Sequence, residues 1–133
     1  MVCFWYDLKH KKILIVGAGG AARAIAAELV TEPIASLDIA NRSHDKADEV
    51  VEIVKSVTQT DTLSSIVQSQ IDFARYDYVI NATSLGLRPD DPLPFSITAL
   101  NSECGVFDII MKPEETALLH AANQAGMKVH YGN

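Results

Sequence analysis

The residues best placed to do chemistry in this sequence are ones with almost no side chain. Gly17-Ala18-Gly19-Gly20-Ala21-Ala22 follows the apolar run Ile13-Leu14-Ile15-Val16 and leads into an alanine-rich segment. A turn without side chains leaves its backbone N–H groups bare. Where such a turn opens a helix, those donors and the positive end of the helix dipole converge on one point. A diphosphate is the kind of anion that point would hold. In the pattern G-x-G-x-x-G/A, Gly17 permits the tight turn and Gly19 lets the backbone come close to the diphosphate. Ala22 is small enough for helix and strand to pack together, and Ala18, Gly20 and Ala21 complete the phosphate-facing segment. A glycine triad alone says little, since it could close a turn that binds nothing. The strand before it and the helix after it make the motif specific.

A second group lies at the end of the next strand candidate: Ala40-Asn41-Arg42-Ser43, with Lys46 one helical turn on. In a dinucleotide-binding arrangement that strand end lies under the adenosine ribose, where an acidic residue would bond the 2′-hydroxyl and repel a 2′-phosphate. Here Asn41 is neutral, Arg42 offers a planar fork to phosphate oxygens and Lys46 adds a second positive charge. Asp38 is acidic but falls inside the strand, too early for this task. Most surface Arg and Lys are merely solvated. Their position here favours a phosphate role, and with it NADP over NAD.

Other chemistries find less support. Cys3 and Cys104 have no paired spacing, so neither a disulfide framework nor a zinc site is indicated and no metal is expected. That usage fits a reducing cytoplasm. His10 and His44 read as exposed flanking residues, while His120 falls on a helix and His130 in a closing strand, where structural roles are commoner than catalytic ones.

These groups need a scaffold, and its pattern is strand, turn, helix, repeated. Ile13 to Val16 is wholly apolar, as a central parallel strand buried on both faces should be. Ala21 to Leu29 lacks any breaker and reads as a helix that Pro33 stops. Ser36 to Ala40 is a second strand. Asp45 to Lys55 is a second helix with Ala47, Val50, Val51 and Val54 on one face, and Ser43 can cap its first turn. A weak strand near Val57 and a variable stretch through Ile66 and Ile71 precede a firm strand at Tyr78 to Ile80. Gly105 to Ile110 reads as a further buried strand, Glu115 to Ala125 as a helix ended by Gly126, and Val129 to Tyr131 as a last strand. The fold class is therefore α/β: a doubly wound, Rossmann-like parallel sheet of about six strands with helices on both faces.

Composition bounds the rest. The 133 residues suit one domain over 1–133, with 1–11 as an amino-terminal extension. A net charge of -6 argues against a nucleic-acid partner, and no apolar stretch is long enough to span a membrane. The apolar opening Met1 to Tyr6 has no basic start and is too short for a secretory signal.

Taken together, Gly17 to Ala24, Asn41-Arg42-Ser43 with Lys46, Asn81-Ala82-Thr83-Ser84-Leu85-Gly86, Asp108 and the downstream Pro113, Thr116, Leu118, Leu119 and Gly126 resemble the shikimate dehydrogenase family in its NADP-binding domain. The resemblance runs from about Lys12 to Gly132. It implies reduction of 3-dehydroshikimate to shikimate with NADPH, on the way to aromatic amino acids. It implies that Gly17 to Ala21 hold the pyrophosphate, that Asn41, Arg42, Ser43 and Lys46 hold the 2′-phosphate, and that Asn81, Ala82, Thr83 and Ser84 lie along the cofactor near the nicotinamide ribose. Ile109 would approach the nicotinamide, and Gly132 would close the site from the other side.

Two departures accompany it. The family's catalytic lysine and aspartate belong to a separate amino-terminal substrate domain whose stretches are absent here, so the chain alone is expected to have little or no activity. The family tyrosine that reaches the substrate is replaced by Met111, whose thioether offers no comparable hydrogen bond. The expected partners are a nicotinamide dinucleotide and either a separate substrate domain or a second copy of the chain. Two alternatives stay open: a non-enzymatic module that senses NADP or docks through Phe4-Trp5-Tyr6, and a cofactor domain like that of glutamyl-tRNA reductase, which shares the glycine turn and an Asn-Arg pair.

Overall fold

The computed structural model describes residues 8–83, 99–108 and 128–131. They form one six-stranded sheet, all parallel: β1 (Lys12–Val16), β2 (Ser36–Ala40), β3 (Leu63–Ser65), β4 (Tyr78–Asn81), β5 (Gly105–Asp108) and β6 (Lys128–Tyr131). In space the order is β3-β2-β1-β4-β5-β6. The chain thus winds one way from β1 through β3, returns to the centre, and winds the other way from β4. Between the carboxyl ends of β1 and β4 lies the point where the winding reverses, the usual place for a ligand in an open parallel sheet.

The unbroken apolar run of β1 is explained by its two neighbours and two covered faces. Val16 lies beside Ala40 on one side and Asn81 on the other. Ile13 and Ile15 join the core cluster formed with the helices, whereas Leu14 and Val16 join a second cluster with Tyr76, Val79, Cys104 and Val106 on the opposite face. Among the described residues that second face is covered in part by Ile66, Ile71 and Phe73. The helix expected over 115–125 lies outside the described residues, as do the amino-terminal extension through residue 7 and the predicted strand residues Ile109 and Ile110.

Helix α1 (Gly20–Leu29) buries Ala22, Ile25, Ala26 and Leu29, the i, i+3, i+4, i+7 stripe of an amphipathic helix. It ends at Leu29, so Pro33 follows the stop instead of making it; the Pro33 carbonyl accepts the His10 N–H at 2.9 Å. Helix α2 (His44–Val57) buries Ala47, Val50, Val51 and Val54, as expected. Two local expectations fail there. Val57 is the last residue of α2 and 75% exposed, not part of a strand: the helix runs three residues past its last buried position, Val54, and the strand begins at Leu63. Ser43 does sit at the cap position, but its side chain makes no capping hydrogen bond; its carbonyl accepts the Lys46 N–H instead.

At the amino ends of the strands, Asp77 ties three of them together. Its Oδ2 accepts the Lys12 N–H at 2.9 Å, its own N–H donates to the Lys12 carbonyl, and its carbonyl accepts the Gly105 N–H. Beside it the ring of Tyr78 lies over Gly105, where an added Cβ would stand 2.6 Å from the ring, and meets Phe107 edge to face.

Candidate functional site

At the carboxyl ends of β1, β2 and β4 the chain leaves a cleft of about 490 Å³. Its floor is the glycine turn. The Gly17 N–H donates to the Ala40 carbonyl and the Ala82 N–H to the Val16 carbonyl, both at 2.8 Å, so the three strand ends are stitched together directly beneath it. Gly17 has φ +125°, and a Cβ there would lie 2.7 Å from both the carbonyl carbon and oxygen of Ala82. Glycine is therefore required by the close passage of β4, a packing reason beyond the tight turn read from sequence.

Gly19 and Gly20 are different. A Cβ at either would meet nothing within 4 Å. Gly19 occupies the cap position of α1 and offers no side chain to its first-turn N–H groups, whose partners must come from outside the helix. Bare donors and open space at a helix start fit a diphosphate. Gly20 and Ala21 are the first two residues of that helix.

The second wall comes from the β2–α2 junction. Asn41, Arg42, Ser43 and Lys46 line the cleft together with Gly17, Ala18 and Gly19. The Asn41 amide donates to the Ser43 carbonyl at 3.1 Å, bracing the turn. Arg42 and Lys46 are exposed, and no ion pair involving either occurs among the described residues. Among the described residues no acidic side chain lines the cleft. Asp38, the nearest acidic residue before Arg42 in the chain, is buried within β2 and accepts a 2.6 Å hydrogen bond from the Tyr76 hydroxyl.

The third wall is the end of β4, from which Ala82 and Thr83 reach the cleft. Asn81 is fully buried beneath them; its Oδ1 accepts from the Thr83 N–H at 3.0 Å and from the Thr83 hydroxyl at 2.5 Å. It shapes this wall from below and is not among the residues lining the cleft. Ser84, Ile109, Met111 and Gly132 lie outside the described residues.

Sequence reasoning missed a further set. Gln68, in a 3-10 turn (Gln68–Gln70) after β3, lines the cleft and also an adjoining one of about 420 Å³, which it shares with Asn41, Arg42, His44, Val67 and Ser69. His44 is not a mere flanking residue: it is the first residue of α2 and lines that outer cleft. Neither a glycine nor a charge marks residues 66–70, and the only signal was the apolar Val67 left 37% exposed, which a sequence does not display. Among the described residues no group of His, Cys, Asp and Glu could hold a metal, and no helix is long and apolar enough to cross a membrane.

Known proteins share both the sequence and this architecture. The chain is 38% identical over 122 residues to the shikimate dehydrogenase (NADP(+)) of Bacillus licheniformis, covering 91% of this chain and 43% of that protein. The quinate dehydrogenase of Corynebacterium glutamicum, solved in complex with NAD, superposes with a TM-score of 0.85 at 27% identity, over 95% of this chain and 45% of that one. The 5-ketofructose reductase of Gluconobacter sp. strain CHM43, in ligand-free form, does so with a TM-score of 0.84 at 32% identity, over 98% and 48%. The chain thus spans less than half the length of these relatives. A model of the family described as shikimate / quinate 5-dehydrogenase matches residues 4–86, which carry the glycine turn, the Asn41-Arg42 junction and the end of β4. With that match spanning more than half of its residues, the chain belongs to the shikimate / quinate 5-dehydrogenase family.

Proposed function

We propose that this chain is the NADP-binding domain of a shikimate-dehydrogenase-type oxidoreductase, which interconverts 3-dehydroshikimate and shikimate. The observation that carries this is the β2–α2 junction: among the described residues, two cations free of ion pairs and no carboxylate line the cleft beside the bare glycine turn. Gly17 to Ala21 receive the pyrophosphate through the N–H groups of the first helical turn. Arg42 and Lys46 hold the 2′-phosphate, with Asn41 and Ser43 completing its surroundings. Ala82 and Thr83, positioned by Asn81, run along the dinucleotide toward its nicotinamide end; by the family resemblance, Ser84 would continue along the cofactor and Ile109 and Gly132 would border the nicotinamide. When bound, the nicotinamide supplies or accepts the hydride.

By the same resemblance Met111 would take the place of the tyrosine that reaches the substrate, and its thioether would offer no comparable hydrogen bond. The proton donor for the substrate oxygen comes from a substrate domain, with that domain or a second copy of this chain closing over the cleft in a cytoplasmic protein. Substrate specificity resides there as well: a shikimate dehydrogenase, a quinate dehydrogenase and a ketofructose reductase share this scaffold.

Isothermal titration with NADP+ and NAD+ tests the reading. NADP+ is expected to bind more tightly, and Arg42→Ala to reduce that preference by about 1–3 kcal/mol, the usual loss for a hydrogen bond to a charged group. Equal affinities for the two nucleotides would remove the phosphate role of Arg42 and Lys46.

A further inference from the structure

Building on the reading of Arg42 and Lys46 as the 2′-phosphate site, we propose that Gln68 is a specificity-determining residue at the adenosine end of the cleft. Its carboxamide donates to the 2′-phosphate beside Arg42, and the lack of charge at this position is a condition of the preference for NADP over NAD.

Gln68 opens the 3-10 turn that follows β3. In the sheet β2 separates β3 from β1, so this turn stands on the outer side of the β2–α2 junction and the glycine turn on its inner side. Val67 and Ser69 line only the outer cleft, whereas Gln68 lines the dinucleotide cleft as well. Asn41, Arg42 and Gln68 are common to both, so the two hollows adjoin at these residues. In the dinucleotide cleft Gln68 borders the same space as Arg42, Ser43 and Lys46.

Of the three shared residues, Asn41 already donates its amide to the Ser43 carbonyl. The 3-10 turn is closed by backbone alone: the Val67 carbonyl accepts the Gln70 N–H at 2.8 Å and the Gln68 carbonyl accepts the Ile71 N–H at 3.4 Å. That fixes where Gln68 leaves the chain without engaging its side chain, which is exposed and makes no hydrogen bond among the described residues. Arg42 and Gln68 thus bring unengaged donors to one space from two different elements. A phosphate monoester carries nearly two negative charges and three acceptor oxygens. The planar fork of Arg42 covers at most two of those oxygens, which leaves acceptors for Lys46 and for the Gln68 amide. A ribose hydroxyl offers no such surplus, so NAD gains little from either group. Neutrality at this position matters equally. A carboxylate of the same shape would have no N–H to give, would pair with Arg42 and would repel the phosphate, which is how an acidic residue at this end of a dinucleotide site selects NAD.

The test is calorimetric titration of the protein with NADP+ and NAD+, comparing wild type with Gln68→Met and Gln68→Glu. Methionine keeps the length of the side chain without its amide, and glutamate keeps the shape and adds the charge. Gln68→Met is expected to weaken NADP+ binding about threefold to tenfold, the net share of one hydrogen bond, and to leave NAD+ binding unchanged. Gln68→Glu should lower the NADP+/NAD+ affinity ratio further, by about tenfold or more in all, as like charges brought together in a cleft do. Ratios equal to wild type in both variants, with NADP+ still preferred, would remove Gln68 from the site and leave Arg42 and Lys46 in it. An equal loss of both nucleotides would also overturn the proposal, because Gln68 would then touch a part that the two cofactors share. A fall confined to Gln68→Glu would overturn the hydrogen bond, since any position near a phosphate feels an added carboxylate. Absence of an NADP+ preference in wild type would overturn the phosphate site and the role of Gln68 together.

Discussion

Gly17→Ala is the substitution whose cost the structure specifies most closely. Two penalties coincide at this position. With φ at +125°, any side chain is strained, which costs roughly 1–3 kcal/mol. The new Cβ would also stand 2.7 Å from two backbone atoms of Ala82. Those atoms cannot step aside: the Ala82 N–H is bonded to the Val16 carbonyl, and Thr83 is held by the buried Asn81. Forcing β1 and β4 apart adds an overpacking cost of about 1–3 kcal/mol. A combined loss near 4 kcal/mol is a large part of the roughly 5–15 kcal/mol that holds a domain together. Urea denaturation followed by circular dichroism should show the midpoint falling with the slope unchanged, and the melting temperature should drop by something like 10–20 °C. Gly19→Ala is the control. Its backbone, at φ -91°, suits any residue, and its Cβ would touch nothing, so stability should stay within about 1 kcal/mol of wild type. That methyl group would nonetheless stand in the space proposed for the diphosphate, and NADP+ affinity should fall about tenfold or more. If Gly17→Ala unfolds within 1 kcal/mol of wild type (about the scatter of such measurements), the claim that β4 dictates this glycine is refuted.

Two further outcomes are expected away from the cleft. Tyr76→Phe removes the hydroxyl that Asp38 accepts inside the sheet, and should cost about 1–3 kcal/mol in urea denaturation without altering nucleotide affinity. Burial, helped by the nearby negative charge of Asp77, pushes the Cys104 thiol up to about 12. The unfolded thiol ionises near pH 8.5 whereas the folded one keeps its proton, so stability is intact below that pH and declines as pH rises toward 12. Unfolding free energies measured between pH 8 and 10 should fall less steeply in Cys104→Ala; an unchanged slope would place the alkaline loss on other groups, Tyr76 first among them, since burial and its bond to Asp38 hold its proton above the usual tyrosine range.

The sequence made most of this scaffold readable wherever burial was complete. The runs 13–16, 36–40 and 78–80 read as strands, and the wholly apolar 13–16 as a central one, because a run covered on two faces fits a parallel sheet with helices between. The glycine turn and the Asn41-Arg42 junction were legible for a related reason: their chemistry depends on a position relative to a strand end, and strand ends were well marked. Failures came where local preference is weak. Val57 looked like strand because β-branched residues favour it, yet a helix already running over three turns carried it along. Ser43 looked like a cap by residue type, but the position is set by the backbone and the hydroxyl is free to go unused. Gln68 escaped notice because it meets Arg42 and His44 only after β3 has taken its place at the sheet edge, a juxtaposition of residues 24 or more apart with no periodicity to announce it. Asp38 and Tyr76 likewise pair across 38 residues.

The knot at Asp77 has a consequence for how such a domain diversifies. One residue fastens β1, β4 and β5 at the rear margin, at the opposite end of the strands from the cleft. Like the pivot pin of a hand fan, it keeps the ribs aligned whatever is mounted at their tips. Loops at the opposite margin are then at liberty to lengthen, exchange charges or accept new substrates without disturbing the spacing of the ribs that carry them.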